Sequence, residues 1–158
     1  LNENAMNGEY NTAKPIAMTG MFVLCLSLAY FWFLFPRQLD IQKGLKLTIQ
    51  ISGILSMTIA YFLFTTYNHD LITNLASFFG LLAIIGTFIG LYKVRWYALL
   101  LFGLLNLLLI GVNTYFYYNK ELIIYLPAIQ KISFAAFLSW ICSIDILLFK
   151  RTSIQANA

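Results

Sequence analysis

A histidine followed by an aspartate is the residue pair in this chain best suited to chemistry. His69 is the one histidine, and Asp70 follows it directly. An imidazole can accept a proton near neutral pH, coordinate a metal ion or contact a ligand. A lone histidine does not make a zinc site, which takes three or four protein ligands, so no metal or other cofactor is expected. Adjacent helical residues point about 100° apart, so Asp70 is not expected to orient His69. The alternative is a polar corner in which Asp70 caps the next helix.

Further polar residues lie near the ends of long apolar blocks, at the same predicted level as this pair. Polar side chains within hydrophobic spans are costly, so they are candidate sites by default. The predicted ligand-binding residues are His69, Asp70, Asn74, Asn113 and Lys131, and the polar residues Asn68, Thr73 and Gln130 accompany them. Together they would form the polar wall of a pocket for a lipid or another amphipathic ligand. The alternative is a packed bundle in which these residues only satisfy one another.

Two asparagines in one apolar block suggest either a polar track or helix packing. Asn106 and Asn113 are seven residues apart, which places them on one helix face about 10 Å apart along the axis. The structural alternative is hydrogen bonding to a neighbouring helix. Gln50 can form such a bond in the same way.

Two charged residues near span ends also have structural alternatives. Lys131 needs a partner, Asp70 or Glu121, if it lies deep in the bilayer, and otherwise it reaches the headgroups. Asp145 precedes Lys150 closely, near a helix end, so pairing with basic neighbours is favoured over proton coupling.

Several function classes are disfavoured by the sequence. It has no nucleotide-binding loop, no paired carboxylates and no interpretable Ser/His/Asp set. The net charge of +4 comes from residues at the ends of apolar blocks, not from a basic stripe, so no nucleic-acid partner is expected. Cys25 and Cys142 lie in blocks predicted to place them in opposite halves of the bilayer, which disfavours a disulfide.

The elements that must position these residues are membrane helices. The chain has 158 residues, 61% hydrophobic and 10% charged, whereas soluble domains carry about 25% charged residues. The apolar residues fall in blocks of roughly twenty, enough to cross about 30 Å of hydrocarbon. We predict an all-α, polytopic transmembrane bundle of five antiparallel spanning helices, at residues 15–35, 47–67, 71–92, 96–118 and 122–149. A polar segment, 1–14, precedes the transmembrane domain, 15–150, and a tail, 151–158, follows it.

Prolines and glycines refine this prediction. Pro36 is expected to stop the first helix, whereas Pro127 either kinks the fifth helix or marks its true start. In the second case residues 122–126 lie along the membrane interface. Gly86 and Gly90 are four residues apart in the third helix, a pattern that allows a neighbouring helix to approach closely.

The distribution of basic residues predicts the orientation. One set of helix ends carries seven, Arg37, Lys43, Lys46, Lys93, Arg95, Lys150 and Arg151, and the other carries three, Lys14, Lys120 and Lys131. Since basic residues favour the cytoplasmic side, we expect a multi-pass protein of the cell membrane with its N-terminus outside and its C-terminus in the cytoplasm. An external N-terminus is most simply exported by a preceding helix, so the native gene is expected to encode one more helix before Leu1.

These features resemble a group of bacterial six-helix membrane proteins, the DRAM/Frag/Sfk-like group. The resemblance rests on Phe35-Pro36-Arg37 at the exit of the first helix and Tyr67-Asn68-His69-Asp70 before the third. The glycine-rich third helix and the short basic loops also fit. It implies a six-helix bundle whose first helix precedes this chain, and it implies no particular chemistry.

The expected function is therefore non-enzymatic. We expect binding of a lipid, another amphipathic ligand or a membrane-protein partner, including a second copy, through the outer polar cluster. The alternatives are a small proton-coupled transporter that uses His69, Asp70, Lys131 and Asp145, and a lipid-modifying enzyme that uses His69 and Asp70.

Overall fold

Helices make up most of the part of the chain that the computed structural model describes, which is residues 11–64 and 68–156. They are α1 (Ala13–Gln38), α2 (Lys43–Tyr61), α3 (His69–Lys93), α4 (Tyr97–Tyr118) and α5 (Leu126–Ala156). Short 3₁₀ turns at Phe62–Phe64 and Ile123–Tyr125 follow α2 and precede α5. These ranges contain no strand, so the all-α prediction is confirmed.

The first two helices differ from their predicted bounds. Pro36 does not stop α1, which continues to Gln38. Proline has a helix-compatible φ and removes only one backbone donor, and the N–H of Leu39 closes the last turn on the Pro36 carbonyl at 3.4 Å. α2 begins at Lys43 rather than 47, because charged residues can extend a helix beyond its apolar segment. The predicted end of α2 at residue 67 lies outside the described residues.

The fifth helix was predicted to start too early. α5 begins at Leu126, so Pro127 lies in its first turn, where a missing N–H leaves no helical bond unmade. The interpretation of Pro127 as the true start is thus confirmed. At the other end α5 continues to Ala156, so residues 151–156 of the predicted tail are helical.

Four helical segments among the described residues are long and apolar enough to cross a membrane. They are Ala13–Gln38, Asp70–Lys93, Tyr97–Tyr118 and Ile123–Arg151. α2 is not among them, since its 19 residues include two lysines, a glutamine and several hydroxyl side chains. The chain divides into two compact units, Leu1–Gly90 and Leu91–Ala158. The single five-helix bundle stays a prediction.

In the first unit, α1 and α2 pack as an antiparallel pair. The Trp32 ring covers Gly53, where a Cβ atom would lie 2.3 Å from Trp32 Cγ. Next to this contact, Gln50 Nε2 donates a hydrogen bond of 2.6 Å to the carbonyl oxygen of Phe33. The expected interhelical bond of Gln50 is therefore confirmed, and both contacts require α1 and α2 to approach closely.

A neighbouring face of α2 packs against α3. The hydroxyl of Ser56 donates a hydrogen bond of 2.8 Å to the Ala76 carbonyl. A Cβ at Gly86 would meet Ile49 Cγ1 at 2.6 Å, and one at Gly90 would meet Leu39 Cδ1 at 3.1 Å. The two glycines therefore permit close approach, as predicted from their spacing.

In the second unit, α4 and α5 also run antiparallel. Trp140 is 1% exposed, and its indole N–H donates a hydrogen bond of 2.7 Å to the Leu99 carbonyl. Further along α4, the side-chain amide of Asn113 donates to the hydroxyl of Ser133 on α5. A buried aromatic ring and a polar contact thus join these two helices at separate levels.

Candidate functional site

The predicted His69–Asp70 pair lies at the start of α3. His69 is the first residue of the helix, and its side chain lies outside the described part of the structure. Asn68, not Asp70, caps the helix, because its Oδ1 accepts hydrogen bonds from the backbone N–H groups of Asp70 at 3.1 Å and Leu71 at 3.2 Å. The capping role predicted for Asp70 is therefore wrong by two positions.

Asp70 and Asn74 share one exposed side of α3. Both are exposed, and residues four apart lie one above the other on a helix. Asp70 is in the first turn, where its negative charge interacts favourably with the helix dipole. The described structure therefore brings these two predicted site residues together on one surface.

Asn113 and Lys131, the other two predicted site residues, belong to the second unit. Asn113 is half-buried and donates to Ser133 and to the Leu109 carbonyl. Lys131 is exposed in the second turn of α5. Since it is two residues from Ser133, it points about 200° away from that side chain. The α5 partner of Asn113 is therefore Ser133 rather than Lys131.

The predicted polar track on α4 contains two amide oxygens without partners. Asn106 is 5% exposed and donates to the Phe102 carbonyl of its own helix at 2.9 Å. The Oδ1 atoms of Asn106 and Asn113 accept no hydrogen bond from any described residue. Interhelical bonding is thus confirmed for Asn113 and wrong for Asn106, whose amide turns back along α4.

Metal-binding clusters are missing from the described residues, where no three His, Cys, Asp or Glu side chains come together. Asp145 is exposed on α5. Cys25 is buried in the first unit, Cys142 is exposed in the second, and both are free thiols.

A groove between α1 and α2 is a feature that sequence reasoning missed. Its volume is about 220 Å³, and its lining residues are Phe22, Cys25, Leu26, Ala29, Met57, Thr58, Tyr61 and Phe62. The α1 members recur at intervals of three and four residues, so they share one helix face. That spacing is visible in the sequence, but the partner face on α2 is not.

This groove forms where small buried side chains lie below large aromatic ones. Cys25 packs with Ala60 and Ala76 in a buried cluster that joins all three helices of the unit. Around it stand aromatic rings: Phe22 and Tyr61 meet edge to face with centroids 5.6 Å apart, and Phe62 lies beside Tyr61 at 5.8 Å.

The groove is almost entirely apolar. The Thr58 hydroxyl donates to the Ile54 carbonyl of its own helix at 2.9 Å. This bond satisfies the hydroxyl, and the methyl group is the apolar part of the side chain. The Tyr61 hydroxyl and the Cys25 thiol are the other polar groups among the lining residues. Such a lining suits a hydrocarbon chain and provides no catalytic constellation.

The groove lies near the end of the unit that carries the exposed residues of α3. Tyr61 and Phe62 end α2 and begin the turn that leads to the α2–α3 corner. Asp70 and Asn74 lie just beyond that corner. An apolar groove and an exposed polar surface thus occur at one end of the first unit. The chain matches no protein-family model, no curated protein and no solved structure.

Proposed function

We propose that this chain is a small, non-enzymatic integral membrane protein that binds an amphipathic lipid at the end predicted to be external. The acyl chain would occupy the α1–α2 groove, and the headgroup would lie at the level of Asp70 and Asn74. The observation that carries this proposal is the groove itself, with its apolar lining and its place near the polar start of α3.

Binding at this groove depends on shape rather than on the hydrophobic effect. Bilayer tails are as apolar as the lining, so moving a chain from lipid into the groove removes no apolar surface from water. The gain comes from van der Waals contacts with fixed walls, each small but numerous. A side chain that fills the groove should therefore abolish the preference for lipid at this position.

Photolabelling tests the groove directly. The protein is reconstituted with phosphatidylcholine that carries a diazirine on its acyl chain, and the labelled peptides are mapped. We expect label concentrated on residues 22–29 and 57–62.

Thr58→Phe should reduce this labelling several-fold, because the added ring fills the groove. Thr114→Phe is the matched control, since Thr114 is also exposed and bonds its own helix at 3.0 Å, but lies outside the groove. Uniform label over all exposed apolar faces, unchanged by Thr58→Phe, would refute the proposal.

The proposed architecture includes α2 as a fifth spanning helix. Its polar side chains turn inward: Ser52 is 5% exposed and Ser56 is 3% exposed. Its outward face carries Leu47, Ile51 and Leu55, all exposed and four residues apart. With the 3₁₀ turn that follows it, α2 extends about 34 Å, enough to cross about 30 Å of hydrocarbon. Average hydropathy misses this helix because it does not distinguish the buried face from the lipid face.

Single-cysteine labelling tests the fifth span. In a Cys25→Ala/Cys142→Ala background, Asp40→Cys, Val94→Cys and Glu121→Cys report three of the four loops between helices, α1–α2, α3–α4 and α4–α5. If α2 crosses the bilayer, positions 40 and 94 share one side and position 121 lies on the other. If it does not, position 40 is labelled together with 121. From the basic-residue distribution we expect an impermeant maleimide to label only position 121 in intact cells. The reverse pattern would overturn the proposed cytoplasmic C-terminus.

A further inference from the structure

We propose that the first unit has a second lipid site, at its α1–α2 loop, that binds the phosphate group of an anionic phospholipid. The site is a basic seam formed by Arg37, Lys43 and Lys46. It lies toward the opposite end of α1 and α2 from the groove and does not depend on the function proposed for the groove.

The helix register brings the basic seam together. The hydrogen bond from Gln50 to the Phe33 carbonyl places these two residues at one level of the antiparallel pair. One turn toward the loop from each of them lie Arg37 and Lys46, on the same helix faces. Lys43 is three residues before Lys46 and shares its face. Three cations therefore gather beside the contact between α1 and α2.

The Arg37 guanidinium is already oriented. Its Cζ lies 3.6 Å above the centroid of the Phe33 ring, a cation–π stack that fixes the plane of the group. A stacked guanidinium keeps N–H donors on its edge, and their planar arrangement matches two phosphate oxygens. Arg37 is exposed, so these donors can reach a headgroup.

The loop that carries the basic seam is anchored. Leu39 is 1% exposed, and its side chain approaches Gly90 of α3. Only residues 39–42 separate α1 from α2. A short connection with a buried anchor limits the motion of the flanking cations, which lowers the entropy lost on binding.

Charge and neighbouring surface together favour a lipid phosphate. Residues 37–46 carry three basic side chains against one acidic one, Asp40. Next to the seam, Phe33 is 37% exposed and Leu47 is 56% exposed. A phosphate held by the three cations would place its acyl chains against these apolar side chains, whereas a free phosphate ion gains nothing from them.

Competitive lipid retention tests the basic seam. The purified protein is equilibrated with equal amounts of phosphatidylglycerol and phosphatidylcholine of the same chains, and retained lipid is counted by native mass spectrometry. We expect wild type to prefer phosphatidylglycerol by about tenfold, since Lys and Arg side chains at a membrane surface attract anionic headgroups. Arg37→Gln/Lys43→Gln/Lys46→Gln should remove most of that preference.

A matched triple variant separates the seam from general charge. Lys120→Gln/Lys150→Gln/Arg151→Gln removes three exposed basic charges from the second unit and should leave the preference nearly intact. Equal losses in both variants, or no preference in wild type, would overturn the proposal.

Phe33→Leu keeps every charge and should weaken the preference several-fold, because Arg37 loses its stacking partner. An unchanged preference would contradict the role given to that ring. Inorganic phosphate at the lipid concentration should not displace the lipid, and displacement would assign the seam to free anions instead.

Discussion

Gly53→Ala is expected to destabilise the first unit by about 1–3 kcal/mol, the usual cost of overpacking. A Cβ atom at this position would lie 2.3 Å from Trp32 Cγ and 2.6 Å from Trp32 Cβ and Cδ2. Trp32 is 2% exposed, so its ring has no open space into which to move. α1 and α2 would have to separate, and the groove one turn away at Met57 would lose its shape. The free energy of unfolding in an SDS titration measures the first effect, and diazirine labelling measures the second.

Gly111→Ala is the control for this substitution. Both glycines lie within helices, so alanine should improve helix propensity by about 1 kcal/mol at either position. At Gly111 nothing lies within 4 Å of the added Cβ, so this gain should be realised in full. If the two variants are equally stable, the close packing of Trp32 on Gly53 is wrong.

Trp140→Ala is expected to destabilise the second unit by about 3–5 kcal/mol, the range for removing a large buried aromatic side chain. The ring is 1% exposed, packs near Phe137 and donates its N–H to the Leu99 carbonyl at 2.7 Å. Its removal would leave a cavity between α4 and α5 and delete that interhelical bond. Thermal unfolding followed by size-exclusion chromatography in detergent measures the loss.

Two further variants separate the contribution of the Trp140 hydrogen bond from that of its buried ring. Trp140→Phe keeps an aromatic ring and loses the N–H donor, so it should cost about 1 kcal/mol, as single hydrogen bonds in membrane proteins do. Phe149→Ala removes an aromatic side chain that is 74% exposed on the same helix and should be nearly neutral. A Trp140→Ala protein as stable as Phe149→Ala would show that α4 and α5 are not held together at this ring.

The role of polar residues required the tertiary structure. The sequence predicts a polar corner at residues 68–70, but only the hydrogen bonds in the structure show that Asn68 caps α3. Asn113 was expected to contribute to a ligand pocket, yet its amide bonds Ser133. A polar side chain within a membrane span requires a hydrogen-bond partner. Which residue that partner is depends on the neighbouring helix and on its register.

Local sequence alone determined the helical class, one close helix approach and the start of α5. Long apolar blocks with few charges can satisfy their backbone polar groups in a membrane only as helices, and the described residues form helices joined by short loops, with no strand. The spacing of Gly86 and Gly90 correctly predicted a close helix approach. Pro127 marked the start of α5. These features depend on residues within one helix, and their effects are local.

Tertiary structure decided the groove, the basic seam and the character of α2. The groove exists because Cys25 and Ala60, far apart in sequence, pack beneath the edge-to-face pair of Phe22 and Tyr61. The seam depends on the register that the bond from Gln50 to Phe33 sets. α2 has too many polar residues for its average hydropathy, yet Ser52 and Ser56 are buried. Composition counts residues, whereas a neighbouring helix determines which of them are covered and which face lipid.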